Sequence, residues 1–264
     1  MSARNEYRYN RLTWEEMNDA ITAQKLVILP TASTEQHGKH LPLDTDLFLT
    51  ESICLELGRR AADKVLVLPP IAYGLNLHHI DFPGTVHIEP EVFIAFCLNI
   101  AKSVAYHGFE KILLVNGHGG NHQAIQAALN PLRQELGIDV WMVTYFHLGN
   151  EIAGEIRASE IGGMAHSGEF ETAMMMHLRP ELVSDDKVPP GRSLGEELEG
   201  TLLRLGPEGV ASFAWLAGDL NADGVVGDAR LAEPSMGARL VSHYGAVLAE
   251  VILDALAFPL DRLV

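Results

Sequence analysis

The chain has 264 residues, 47% of them hydrophobic, and carries 35 Asp and Glu against 19 Lys and Arg, a formal charge of −16. That charge repels a phosphate backbone, so nucleic acid is excluded as a partner. No apolar run reaches the roughly 18–20 residues of a membrane span, and the start, MSARNEYRYN, has no apolar signal core, so a cytoplasmic chain without membrane contact is expected. Cys54 and Cys97 fit neither a CxxC pattern nor a disulfide framework and read as buried thiols. The unusual count is histidine: there are 12, and ten lie between His37 and His166.

In chain order, Thr13-Trp14-Glu15-Glu16 reads as a capping box opening a short helix. Residues 25–29 form an apolar run ending at Pro30, a buried strand. Residues 47–64 have helical spacing, with Ile53, Leu57 and Ala61 on one face. A second strand, 65–68, stops at Pro69-Pro70. The long segment 73–89, rich in His, Gly and Pro, reads as a functional loop. Pro90 opens a helix to about residue 107, stopped by Gly108. Residues 112–115 form a third strand, 121–136 a helix closed by Gly137, and 140–145 a fourth strand. From about 180 to 234 no regular pattern stands out, and 235–257 reads as a closing helix.

Strands separated by helices imply a single α/β domain over residues 1–264, with a parallel, possibly mixed, sheet flanked by helices. In such sheets ligands sit beyond the carboxyl ends of the strands. That rule selects residues 31–46, 73–87, 116–122 and 145–150, which hold most of the histidines. Core packing has no reason to place His at one end of the strands, so this bias is a functional signal.

Four segments carry chemistry. In Ser33-Thr34-Glu35-Gln36-His37, Glu35 and His37 are two apart and share a side of extended chain; Asp46 stands at the start of the next helix, where a helix cap is the plain reading. Together Glu35, His37 and Asp46 form a plausible metal set. In Asn116-Gly117-His118-Gly119-Gly120-Asn121 the glycines let backbone approach a buried site while His118 projects into it. The spacing is not GxGxxG and no P-loop lysine follows, which weakens a nucleotide-binding module as an alternative. In His166-Ser167-Gly168-Glu169-Phe170-Glu171, a helix starting at His166 would put His166 and Glu169 on one face, with Glu171 about 200° away from Glu169. Glu169 is therefore the expected ligand and Glu171 an outer partner. His78 and His79, in the long loop, are expected at the substrate, as is Asn116.

The four motifs STEQHGxHLPLxTD, DFPGT, NGHGGN and HSGEFET, in this order over residues 26–178, resemble the creatininase (creatinine amidohydrolase) family. The resemblance implies one α/β domain, a homo-oligomer (often a hexamer) and a small-molecule substrate. It also implies two divalent ions per chain, Zn, Mn or Fe, held by Glu35, His37, Asp46 and His118, with Asp46 bridging. The NGHGGN form differs from creatininase itself, which has NGHYEN with a Glu at the position of Gly120. Glu169 is expected to replace that carboxylate. Creatininase also has tryptophans around its substrate at what correspond to Phe146 and Gly162 here, so a creatinine-shaped slot is not expected.

The expected activity is hydrolysis of a non-peptide C–N bond, in a cyclic amide or formamide, by a metal-activated water. His166 is expected as the general acid on the leaving nitrogen. The alternatives are ring opening of a lactone or cyclic keto-sugar and maturation of a peptide by the same centre.

Overall fold

The computed structural model describes residues 5–160, 162–189, 193–199, 201–207 and 211–258. The ends of the expected 1–264 domain lie outside them. Helix α1 (Trp14–Thr22) opens on the expected capping box: the Thr13 hydroxyl accepts from the Glu16 N–H, and the Glu16 carboxylate accepts from the Thr13 N–H. Strand β1 (Leu26–Thr31) leads through a loop to α2 (Thr45–Arg60) and then to β2 (Val65–Val67). A long loop with one 3-10 turn (Leu77–His79) precedes α3 (Pro90–Tyr106), β3 (Lys111–Asn116), α4 (His122–Leu136) and β4 (Asp139–Thr144). Next come α5 (Asn150–Ile156) and α6 (Glu169–Leu178). Among the described residues of 180–233 there are short pieces, α7 (Leu194–Glu199), the two-residue pair β5 (Leu205–Gly206) and β6 (Ala211–Ser212), α8 (Ala217–Leu220) and 3-10 turns. The closing helix is α9 (Pro234–Ala257).

The main sheet has the order β2-β1-β3-β4 and every pairing in it is parallel. Period-two alternation sorts its side chains between two cores. Leu26, Ile28, Leu113 and Val115 face α2, α6 and α9, while Val27, Leu29, Ile112 and Leu114 face α3 and α4. Burial on both faces explains why these strands read as continuous apolar runs. Strand β1 runs past Pro30 to Thr31, one step beyond the expected stop. Pro30 pairs with Val115, and its carbonyl still accepts from the Ile71 N–H, so the missing donor does not end the strand.

α9 is the one helix among the described residues long and apolar enough to span a membrane by length and composition. Here Leu240, Tyr244, Leu248 and Ile252 instead pack in the core beside α2 and α6. The α6–α9 contact is set by Gly237, where a Cβ would lie 2.0 Å from the Ala173 carbonyl oxygen. Backbone cannot yield as a flexible side chain does. Gly237→Ala should therefore lower stability by at least about 1–3 kcal/mol in urea unfolding. Gly154→Ala, at an exposed position of α5 with no atom within 4 Å of the new methyl, should raise it by about 0.5–1 kcal/mol.

Candidate metal centre and active site

The carboxyl ends of β1 and β3 deliver the site. After β1 the chain makes a tight excursion in which the Glu35 N–H donates to the Leu43 carbonyl and His37 bridges Leu41. It returns at α2, placing Asp46 in that helix's first turn. His118 follows β3 directly. Glu35, His37, Asp46 and His118 are all buried. Asp46 Oδ1 lies 3.0 Å from His37 Nε2 and Asp46 Oδ2 lies 3.1 Å from His118 Nδ1. Glu35 Oε1 is 3.2 Å from the same His118 nitrogen.

Backbone carbonyls orient both imidazoles. His37 Nδ1 lies 3.1 Å from the Glu35 carbonyl and His118 Nε2 lies 3.2 Å from the Leu75 carbonyl. A carbonyl only accepts, so those nitrogens carry the protons. The opposite nitrogens, His37 Nε2 and His118 Nδ1, present lone pairs to the carboxylates when the rings are neutral. Glu35 Oε1 and Asp46 Oδ2 are buried without a hydrogen-bond partner. Orphaned carboxylate oxygens facing imidazole lone pairs fit a divalent cation. Glu35, His37 and Asp46 offer ligand atoms within 4.8 Å of one another, and so do His37, His166 and Glu171.

Electrostatics without a cation show the same design. Burial pulls His37 down, but the charge and hydrogen bond of Asp46, with Glu171 and Glu35, outweigh it and lift the ring to about 10. His118 is likewise raised well above its ordinary value, Glu35 and Asp46 overcoming its burial. Burial and the Asp46 charge push Glu171 up to about 7 despite His37. His166 goes the other way: burial, with the nearby rings of His79 and His37, holds it well below the ordinary value, so it is neutral.

The two glutamates of the third motif exchange the places expected for them. α6 begins at Glu169 rather than at His166, because Ser167 is in the left-handed region at φ 58°. His166 therefore lies outside the helix, and it does not share a helix face with Glu169. The Glu169 carboxylate turns away and accepts from the Ala158 N–H, the Ser159 N–H and the Ser159 hydroxyl, at 2.9, 3.2 and 2.5 Å. Glu171 enters the site, with Oε2 3.8 Å from His37 Nε2 and 2.6 Å from the Ser167 N–H that donates to it.

His78 and His79 both line a cavity of about 400 Å³ over the cluster. In extended chain they would diverge, but the 3-10 turn brings their ring centroids to 4.1 Å. Asn116 does not line it. Its amide donates to the His118 carbonyl and to Thr144 Oγ1, and its oxygen accepts from Thr31 Oγ1, so it locks the turn that carries His118. Phe146 and Gly162 do line the cavity, as do Tyr145, Met164, Trp215 and Tyr244. Trp215 stands in the segment without periodicity, where no sequence pattern marks it; it packs edge-on against His78, 5.2 Å between centroids. Gln36 also belongs to the site, and its place between two expected ligands is its signal in the sequence. Its amide lies within 3.0 Å of both His79 and His166.

The creatininase family model, described as creatinine amidohydrolase, matches residues 10–252. A mycofactocin precursor peptide peptidase of Mycobacterium ulcerans is 34% identical over 215 residues, 78% of this chain and 80% of that protein. The creatinine amidohydrolase of Pseudomonas putida is 29% identical over 195 residues, 67% and 74% of the two chains. A solved creatininase variant of Zn-Zn type superposes with a TM-score of 0.82 at 24% identity, covering 96% of this chain and 99% of its own.

The Glu169 clamp has a stability signature. Glu169→Gln sets an amide N–H against the buried donors of residues 158 and 159, which should cost about 1–3 kcal/mol in urea unfolding. Metal content of the folded variant should equal that of the parent; a loss of metal would return Glu169 to the ligand set.

Proposed function

The chain belongs to the creatininase family of metal-dependent hydrolases, and from that premise we propose that it cleaves the C–N bond of a cyclic amide or formamide at a two-ion centre. Glu35, His118 and Asp46 would hold one ion, and His37, Asp46 and Glu171 the other. The observation that carries this reading is the division of the Asp46 carboxylate, one oxygen toward His37 and one toward His118. Bound there, such ions would lower the pKa of a water toward about 7 and polarise a carbonyl. Imidazole and carboxylate donors suit Zn, Mn or Fe.

The chain's own groups handle the proton. Water adds its oxygen to the carbonyl carbon and the C–N bond breaks, giving an acid and an amine. Because burial keeps His166 neutral, it first takes a proton from the water and then gives it to the departing nitrogen. The walls supplied by Tyr145, Phe146 and Trp215 shield this exchange and suit a compact, partly apolar substrate. Exposed Val92, Phe96 and Tyr106, all on α3, support a homo-oligomer. The free, buried Cys54 and Cys97 support a reducing, cytoplasmic setting.

A second reading, cleavage within a peptide, is favoured by the likeness to the mycofactocin precursor peptide peptidase. Two measurements test these assignments. Glu171→Ala should reduce metal content, by elemental analysis, from about two ions per chain to about one; retention of both would remove Glu171 from the ligand set. The metal-loaded protein should then be offered formamides, cyclic amides, lactones and short peptides, with products read by mass spectrometry. Amide or formamide turnover, lowered about 10²–10⁴-fold in His166→Ala with metal intact, is expected. Turnover of peptides alone would shift the assignment to the second reading, and turnover of lactones alone would end the C–N proposal.

A further inference from the structure

Gln36 is buried between the two loops that carry the histidines of the cavity. Its orientation is unambiguous. The side-chain oxygen accepts from the Gly38 N–H at 2.8 Å, and the side-chain nitrogen donates to the Gly224 carbonyl at 2.9 Å. One amide hydrogen is left. Two ring nitrogens compete for it: His79 Nδ1 at 2.9 Å and His166 Nε2 at 3.0 Å.

The competition has one consistent solution. His166 Nε2 also lies 2.9 Å from the backbone carbonyl of Gln36, which can only accept. His166 therefore carries its proton on Nε2, and its Nδ1 lone pair faces Glu35, 3.5 Å from Oε1. The spare hydrogen of Gln36 then goes to His79 Nδ1, which must be bare. His79 accordingly carries its proton on Nε2, which lies 3.6 Å from the same Glu35 oxygen. Two neighbouring rings, tilted by 30° and 4.1 Å apart between centroids, thus turn different groups toward the site, one a lone pair and the other an N–H.

Resting on the hydrolytic reading above, we propose that Gln36 is a positioning residue that fixes these tautomers, so that His166 Nδ1 is the proton acceptor and His79 Nε2–H is the standing hydrogen-bond donor to the substrate oxygen. The assignment excludes His79 as a metal ligand, although Glu35, His79 and His166 lie close enough to form a set. Binding an ion through Nε2 would require the proton on Nδ1, where it would meet the Gln36 amide hydrogen.

The test is direct observation of the ring protons in the zinc-loaded chain, by long-range proton–nitrogen NMR on ¹⁵N-histidine-labelled protein, with His79→Asn and His166→Asn to assign the signals. Nε2–H on both rings is expected. Nδ1–H on His79 would overturn the proposal, as would a bare Nε2 on His166. Gln36→Glu replaces the donor by an acceptor and should move the His79 proton to Nδ1. Its kcat should fall about 10–100-fold with KM changed far less and zinc content retained. Gln36→Met, which removes both polar atoms, should leave His79 as a mixture of tautomers. An unchanged His79 tautomer in a folded Gln36→Glu protein would also overturn the proposal. The ring protons are read without any substrate. A chain with these tautomers but no turnover on any amide, peptide or lactone would therefore retire the hydrolytic reading while leaving the role of Gln36 in place.

Discussion

A carboxylate held between two imidazoles governs this site. Asp46 is buried, and an unpaired buried carboxylate costs several kcal/mol. One of its oxygens faces His37 and the other, without a hydrogen-bond partner, faces His118. Glu35 and Glu171 add further negative charge to the same volume, and the cluster answers by drawing protons onto His37 and His118. Positive charge is what the arrangement demands. Divalent cations meet that demand without requiring protonated rings, which links metal loading to proton release.

The fold meets the cost of this crowding through rigidity at a distance. Asp46 rides on α2, which packs between the sheet and α9, and Glu171 rides on α6, pressed against α9 at Gly237. The rings of His37 and His118 are turned by carbonyls from different loops, Glu35 for His37 and Leu75 for His118. The loop supplying Leu75 is itself tied down. The Leu75 N–H donates to Asn121 Oδ1, the Asn121 amide donates to the Ala32 carbonyl, and the Asn76 amide donates to the Val86 carbonyl. No ring can rotate unless a loop moves.

What can be read from the sequence follows from how local each feature is. The four strands are legible because each is an apolar run between breakers, and burial on both faces erases any alternation that would suggest another architecture. Glu35, His37, Asp46 and His118 are legible because strand ends and a helix start fix them locally. Glu169 and Glu171 are not, because their assignment turns on one backbone angle. With Ser167 at φ 58°, the helix begins three residues later than the pattern suggests, and Glu171 rather than Glu169 faces His37. The pair His78-His79 hides a 3-10 turn behind what reads as extended loop. Asn116 looks like a substrate residue from its position after β3, yet its hydrogen bonds all go inward. Trp215 meets His78 across more than a hundred residues of chain, and no local pattern carries that.

The motif NGHGGN connects these corrections. Where the resemblance to creatininase calls for a glutamate, this chain has Gly120, and a Cβ there would lie 2.2 Å from the Leu75 carbonyl oxygen and 2.5 Å from His118 Nε2. The absent side chain is thus the condition for the contact between Leu75 and His118 that fixes the His118 tautomer. Space opened by losing the carboxylate is taken by backbone, and Gly120 does not line the cavity, although Gly117, His118 and Gly119 do. On the opposite wall Glu171 projects from the first turn of α6, its carboxylate 3.8 Å from His37 Nε2. Gly120 thus admits the Leu75 carbonyl against His118, while the carboxylate beside His37 stands on α6.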